Sequence, residues 1–140
     1  MSATFHVIAT TIDGTAAALR AVTLLATKQQ ARVVLLVPQT AADAEQSPHS
    51  INRLIARYDD MARDLNQPVR IRVCMSPNVV EAVTRMTSAN STVLIGGRTG
   101  VFWPGAEERL AARLRRSGRE VVFVGCNERS AVNQELHVDA

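Results

Sequence analysis

Residues Val93 to Leu114 read VLIGGRTGVFWPGAEERLAARL. An apolar run is followed by Gly96, Gly97, Gly100 and Gly105, and then by a helical pattern. A strand, a glycine loop and a helix in that order bring bare backbone N–H groups to the positive end of a helix dipole, the arrangement that cradles a phosphate. Arg98 and Thr99 inside the loop add donors suited to an anion. The glycines serve either a close backbone approach or positive φ angles in a turn, and only the first needs a ligand. A second segment, TIDGT, places Asp13 or Thr15 where either would cap a following helix.

Two features oppose phosphate binding. Phe102 and Trp103 are bulky where a backbone would have to approach a ligand closely, and Glu107 and Glu108 fall in the first turn of the helix. Carboxylates suit a helix N-terminus and compete for the same dipole field. Two like charges about 4 Å apart repel by about 4 kcal/mol at an intermediate dielectric. The loop therefore reads as the remnant of a nucleotide site. Trp103 either lids the crevice or packs beneath the loop.

No catalytic constellation emerges, since there is no GxSxG, no Walker lysine and no Ser-His-Asp set. Cys74 and Cys126 form no CxxC pair, and His6, His49 and His137 are scattered, so neither metal ligation nor disulfide formation is expected. The expectation is a non-enzymatic protein without a resident cofactor or metal.

The 140 residues fit one domain, and a hydrophobic fraction of 46% allows an ordinary core. Net charge is only +3, too mild to imply a nucleic-acid partner. Arg109, Arg113 and Arg116 share a helix face, with Arg115 off it and Arg119 beyond; without interleaved aromatics this is a solvated face. No apolar run approaches the ~18 residues of a membrane span, and the N-terminus carries no secretory pattern, so the expected location is cytoplasmic, with no membrane partner.

The elements that would position these residues follow from periodicity. TFHVIATTI, ARVVLLVP, STVLIGG and EVVFVG are nearly continuous apolar runs, the mark of strands buried on both faces. Pro38 is expected to stop the second. VRIRVCM alternates Val69, Ile71, Val73 and Met75 against Arg70, Arg72 and Cys74, the pattern of a half-exposed edge strand. Helical spacing covers Ala16 to Gln29, Ile51 to Leu65, a stretch from Val79 to Asn90 capped by Ser76 or Asn78, and roughly Gly105 to Ser117. Gln39 to Ser50 reads as a polar connection. Strict alternation of strand and helix predicts an α/β fold: a single doubly wound five-stranded parallel sheet, order 3-2-1-4-5, with four helices on two faces. Residues 1–126 form the domain and 127–140 a polar tail. In that order the first and fourth strands flank the switch point, where ligands bind at strand carboxyl ends. TIDGT and IGGRTG both arrive there.

At this point the chain resembles the universal stress protein family. HVIATTIDGT is similar to that family's opening strand and turn, ARVVLLVP to its second strand, SPNVVEAV to the start of its third helix, and STVLIGGRTG to its fourth strand and glycine loop. The resemblance spans roughly residues 4 to 125. It implies an adenine-nucleotide site, ATP or AMP, built from Asp13 near the ribose, the Val37 backbone at the adenine, and Gly96, Gly97, Arg98, Thr99 and Gly100 at the phosphates. The family's ATP binders carry Gly, two residues, Gly, nine residues, then Gly and Ser or Thr. Here Gly97 and Gly100 satisfy the first half, but nine further residues lead to Leu110 and Ala111; starting from Gly96 puts Thr99 at the second glycine and ends at Arg109 and Leu110. The signature is incomplete in both frames. The SGGxD-type loop of ATP pyrophosphatases, which share this general fold, is missing. The resemblance further implies a homodimer paired through the last strand, Val121 to Val124. The leading expectation is a stress-response protein acting through dimerisation and an unidentified protein partner. A nucleotide sensor with an altered loop stands as the alternative, and a nucleic-acid binder using the arginine helix as a third reading.

Overall fold

A computed structural model describes residues 3–39, 48–88, 90–100 and 104–126. Five strands alternate with four helices: β1 (Thr4–Ile8), α1 (Ile12–Gln29), β2 (Arg32–Gln39), α2 (Pro48–Asp64), β3 (Val69–Met75), α3 (Val79–Met86), β4 (Thr92–Gly97), α4 (Ala106–Arg116) and β5 (Glu120–Gly125). All strand pairs are parallel and the order is β3-β2-β1-β4-β5, as the alternation of elements predicts. The tail and the 40–47 connection, like Phe102 and Trp103, lie outside the described residues.

Each central strand sends alternate side chains into two cores. Phe5, Val7, Val33, Leu35, Val37 and Leu94 meet Leu19 and Val22 of α1 and Tyr58 of α2 on one face. Ile8, Leu36, Val93 and Ile95 meet Val83 of α3 and Ala111 and Leu114 of α4 on the other. Burial on both faces explains the unbroken apolar runs in β1, β2 and β4. Among the described residues no helix is long and apolar enough to cross a membrane.

Some boundaries depart from the sequence expectation, α1 beginning at Ile12 instead of Ala16 and α2 at Pro48 instead of Ile51, and others are decided by the structure. Strand β2 runs through Pro38 to Gln39. Leu36 faces β1, where its carbonyl accepts from Ala9 N, so Pro38 two residues on faces the same side. There β1 has already ended, and the missing proline N–H interrupts no ladder. Helix α3 is capped by Asn78, whose Oδ1 accepts from Val80 N at 2.9 Å and Glu81 N at 3.4 Å, and it stops at Met86 instead of Asn90. The guanidinium of Arg119 ends it, donating to Thr87 Oγ1 at 3.0 Å, Thr84 O at 3.0 Å and Thr87 O at 3.1 Å. Thr84 O and Thr87 O are carbonyls at the helix end, where intrahelical partners run out. In β3 the expected alternation holds for Val69 and Ile71, which pack on the first core, but inverts at the end. Cys74 is buried under Arg85, whose Nη2 lies 3.3 Å from its Sγ, while Val73 and Met75 are exposed.

Candidate functional site

The β1 and β4 carboxyl ends lie side by side, with Ile8 in register with Ile95. The turn after β1 is rich in hydroxyls, and they are spent on the protein itself. Thr11 is the N-cap of α1 and accepts from Gly14 N at 3.0 Å. Thr15 Oγ1 accepts from Thr10 N at 3.0 Å and donates to Thr11 O at 2.7 Å. Thr10 Oγ1 donates to Gly96 O at 2.7 Å, tying the turn to β4. The cap is thus Thr11, two residues before Asp13 and four before Thr15, the two caps expected. Asp13 sits exposed in the first helical turn, where its charge suits the dipole.

Gly14 and Gly96 meet backbone to backbone. A Cβ on either would collide with the carbonyl of the other, and one on Gly14 would also lie 2.9 Å from Thr11 Oγ1. The close approach that these glycines permit is therefore between α1 and β4. Gly97 is covered in the same way, since a Cβ there would meet the Glu107 side chain at 2.5 Å.

Beyond β4, Arg98 and Thr99 are exposed and Gly100 is half-buried. Thr99 Oγ1 lies 3.1 Å from where a Gly125 Cβ would be, so this part of the loop rests on the end of β5. The N–H of Gly100 points at Glu108 Oε1, 2.5 Å away, and the same oxygen accepts from Gly105 N at 2.9 Å. This is half of a capping box; its other half is impossible because the N-cap is a glycine. The two backbone donors hold the Glu108 carboxyl below the usual carboxylate range. The glycine loop and helix N-terminus do bind an anion, and it is the side chain of Glu108.

The expected residues thus come together at one edge of the sheet in unequal roles. Val37 reaches that edge on β2, in register with Val73, but its side chain is buried in the first core, leaving its backbone as the part of it a ligand would meet. The sequence pattern gives both glutamates one role. The structure divides them: Glu107 packs on Gly97 and Glu108 turns back on the loop. No local sequence signal marks the Thr10–Gly96 link, whose partners lie 86 residues apart. On α4, Arg115 leaves the basic face and donates to Val121 O at 3.2 Å, as helical geometry predicts for the residue off the stripe.

This strand order, with paired helices on each face, is a fold that the chain shares with solved universal stress proteins. The chain matches a universal stress protein solved in complex with cAMP at a TM-score of 0.67 and 16% identity, covering 89% of this chain and 98% of that one. It matches a universal stress protein family member from Burkholderia pseudomallei at 0.62 and 17% identity, covering 89% and 96%. A third match is protein Rv1636 from Mycobacterium tuberculosis H37Rv, at 0.54 and 18% identity, covering 91% and 99%. No family model and no curated protein sequence matches the chain.

Proposed function

We propose that this protein is a universal-stress-type, non-enzymatic protein of the cytoplasm, acting in the stress response as a homodimer that contacts a protein partner. Its ancestral nucleotide site is degraded. The observation that carries the reading is the Glu108 carboxylate, which accepts from both Gly100 N and Gly105 N and so takes the donors that a phosphate would use. A triphosphate entering the loop would have to displace that carboxylate and then sit beside it.

A second reading has its own support, in the neighbour solved in complex with cAMP. On that reading the chain senses an adenine nucleotide, ATP, AMP or cAMP, with little or no hydrolysis. The test is to release small molecules from gently purified protein for mass spectrometry, then to titrate ATP, AMP and cAMP calorimetrically into emptied protein. The expected result is no released nucleotide and no binding at millimolar ligand. Micromolar binding of any of the three, about −8 kcal/mol, would establish the sensor instead.

A further inference from the structure

A second concavity, of about 730 Å³, opens at the opposite, amino-terminal end of the strands, on the sheet face that carries α3 and α4. Register lays its floor. His6 pairs with Val34 and Val34 with Arg70, so one residue from each of β1, β2 and β3 forms a row across the sheet. The row beside it runs from Thr4 to Arg32, and Arg72 follows Arg70 two residues on. With the strand period of two, these side chains share one face. The sheet face is open here because α3 has only eight residues and ends under the Arg119 cap; Met86, Ser88 and Ser91 then form the wall.

The lining is one-sided in charge. Arg32, Arg70 and Arg72 contribute to it, and among the described residues no carboxylate does. The ion pair found among the described residues, Arg63 with Asp59, involves none of the three. At the base lies the His6 imidazole, only 7% exposed, whose Nδ1 is buried and has no hydrogen-bond partner among the described residues. Such an orphaned atom costs about 1–3 kcal/mol and is rare in native cores. The cationic lining, with no acid among the described residues to balance it, points to a guest of negative charge, and His6 makes the floor beneath it polar.

We propose that this groove binds a small organic polyanion, with Arg70 and Arg72 clasping its phosphate or carboxylate oxygens and its carbon body resting on Val34 and Met86. Guanidinium forks recognise both oxyanion types in a bidentate manner. The volume suits a metabolite, being within the roughly 300–1,000 Å³ typical of ligand sites. The site is distinct from the switch-point crevice and does not depend on whether that crevice holds a nucleotide.

The experiment titrates citrate and, separately, fructose 1,6-bisphosphate into labelled protein at low salt. Backbone and His6 ring resonances are followed by NMR, and affinity is measured calorimetrically. The proposal expects at least one of them to bind, with shifts clustered on His6, Arg70, Arg72 and Ser91, and to bind at least tenfold more weakly to the R70S/R72S variant. Citrate alone would identify a carboxylate ligand and the bisphosphate alone a phosphate ester. Shifts elsewhere, no shifts with either probe, or undiminished affinity in R70S/R72S would overturn it. The location of the shifts in the unaltered protein decides the matter even if that variant folds poorly.

Discussion

Glu108 shows how a single side chain changes what a loop can do. The donors of the glycine loop are intact, yet Gly100 N and Gly105 N both end on one carboxylate oxygen. An E108Q substitution keeps an acceptor in place but removes the charge, so phosphate-bearing ligands should bind E108Q more tightly than the unaltered chain, by calorimetry with pyrophosphate. Gly96 tests the other half of the crevice. Because a Cβ there meets the Gly14 carbonyl, which is backbone and cannot swing away, Gly96→Ala should cost at least the roughly 3 kcal/mol at the top of ordinary overpacking, read from urea unfolding midpoints. His6 carries a pH dependence. Burial first, and the Arg72 charge second, lower its pKa in the folded protein, whereas the unfolded chain titrates near the ordinary value of about 6.5. Below that value the unfolded state binds the proton and the folded state resists it. Stability from this residue is therefore complete above about pH 6.5 and declines as the pH falls from there through the lowered folded value. Melting temperatures between pH 7.5 and 5.5 should show this decline, and it should flatten in His6→Val.

The elements were legible in the sequence because their cause is local. Unbroken apolar runs announce strands buried on two faces, and the arginines at alternate positions of β3 announce the edge. Their ends were not legible, because the groups that end them come from far away. Helix α3 stops where Arg119, more than thirty residues later, reaches Thr87. The strand β2 passes Pro38 because β1 has ended beside it. The candidate site divides in the same way. A glycine loop before a helix can be read from spacing, but that Gly96 opposes Gly14 can be known only from the packing of α1 on β4. The sequence likewise alternates Arg70 and Arg72 without revealing that His6 lies two strands away on their face. Replacing Arg119 with alanine tests the tertiary cap. The loss of three charge-assisted bonds should destabilise the fold by about 1–3 kcal/mol and unprotect the last turn of α3 to hydrogen exchange.

For the whole molecule, a five-stranded open sheet has two edges, and they are built differently. The β3 edge carries Arg70 and Arg72, both exposed, and charges on an edge strand discourage pairing with another chain. The β5 edge reads EVVFVG and has charge only at Glu120, with Val122 exposed. A largely apolar edge strand invites strand pairing, so a second copy meeting β5 to β5 would cover both edges at once through a two-fold axis. On this argument the protein should sediment as a dimer at micromolar concentration. Val122→Glu would set two like charges near that axis without disturbing Val121, which faces the second core. It should raise the dimer dissociation constant at least tenfold, about 1.4 kcal/mol, with the circular dichroism spectrum unchanged. If instead the unaltered chain sediments as a monomer, the β5 edge must be covered by something other than a second β5, and that contact becomes the place to look for the protein partner.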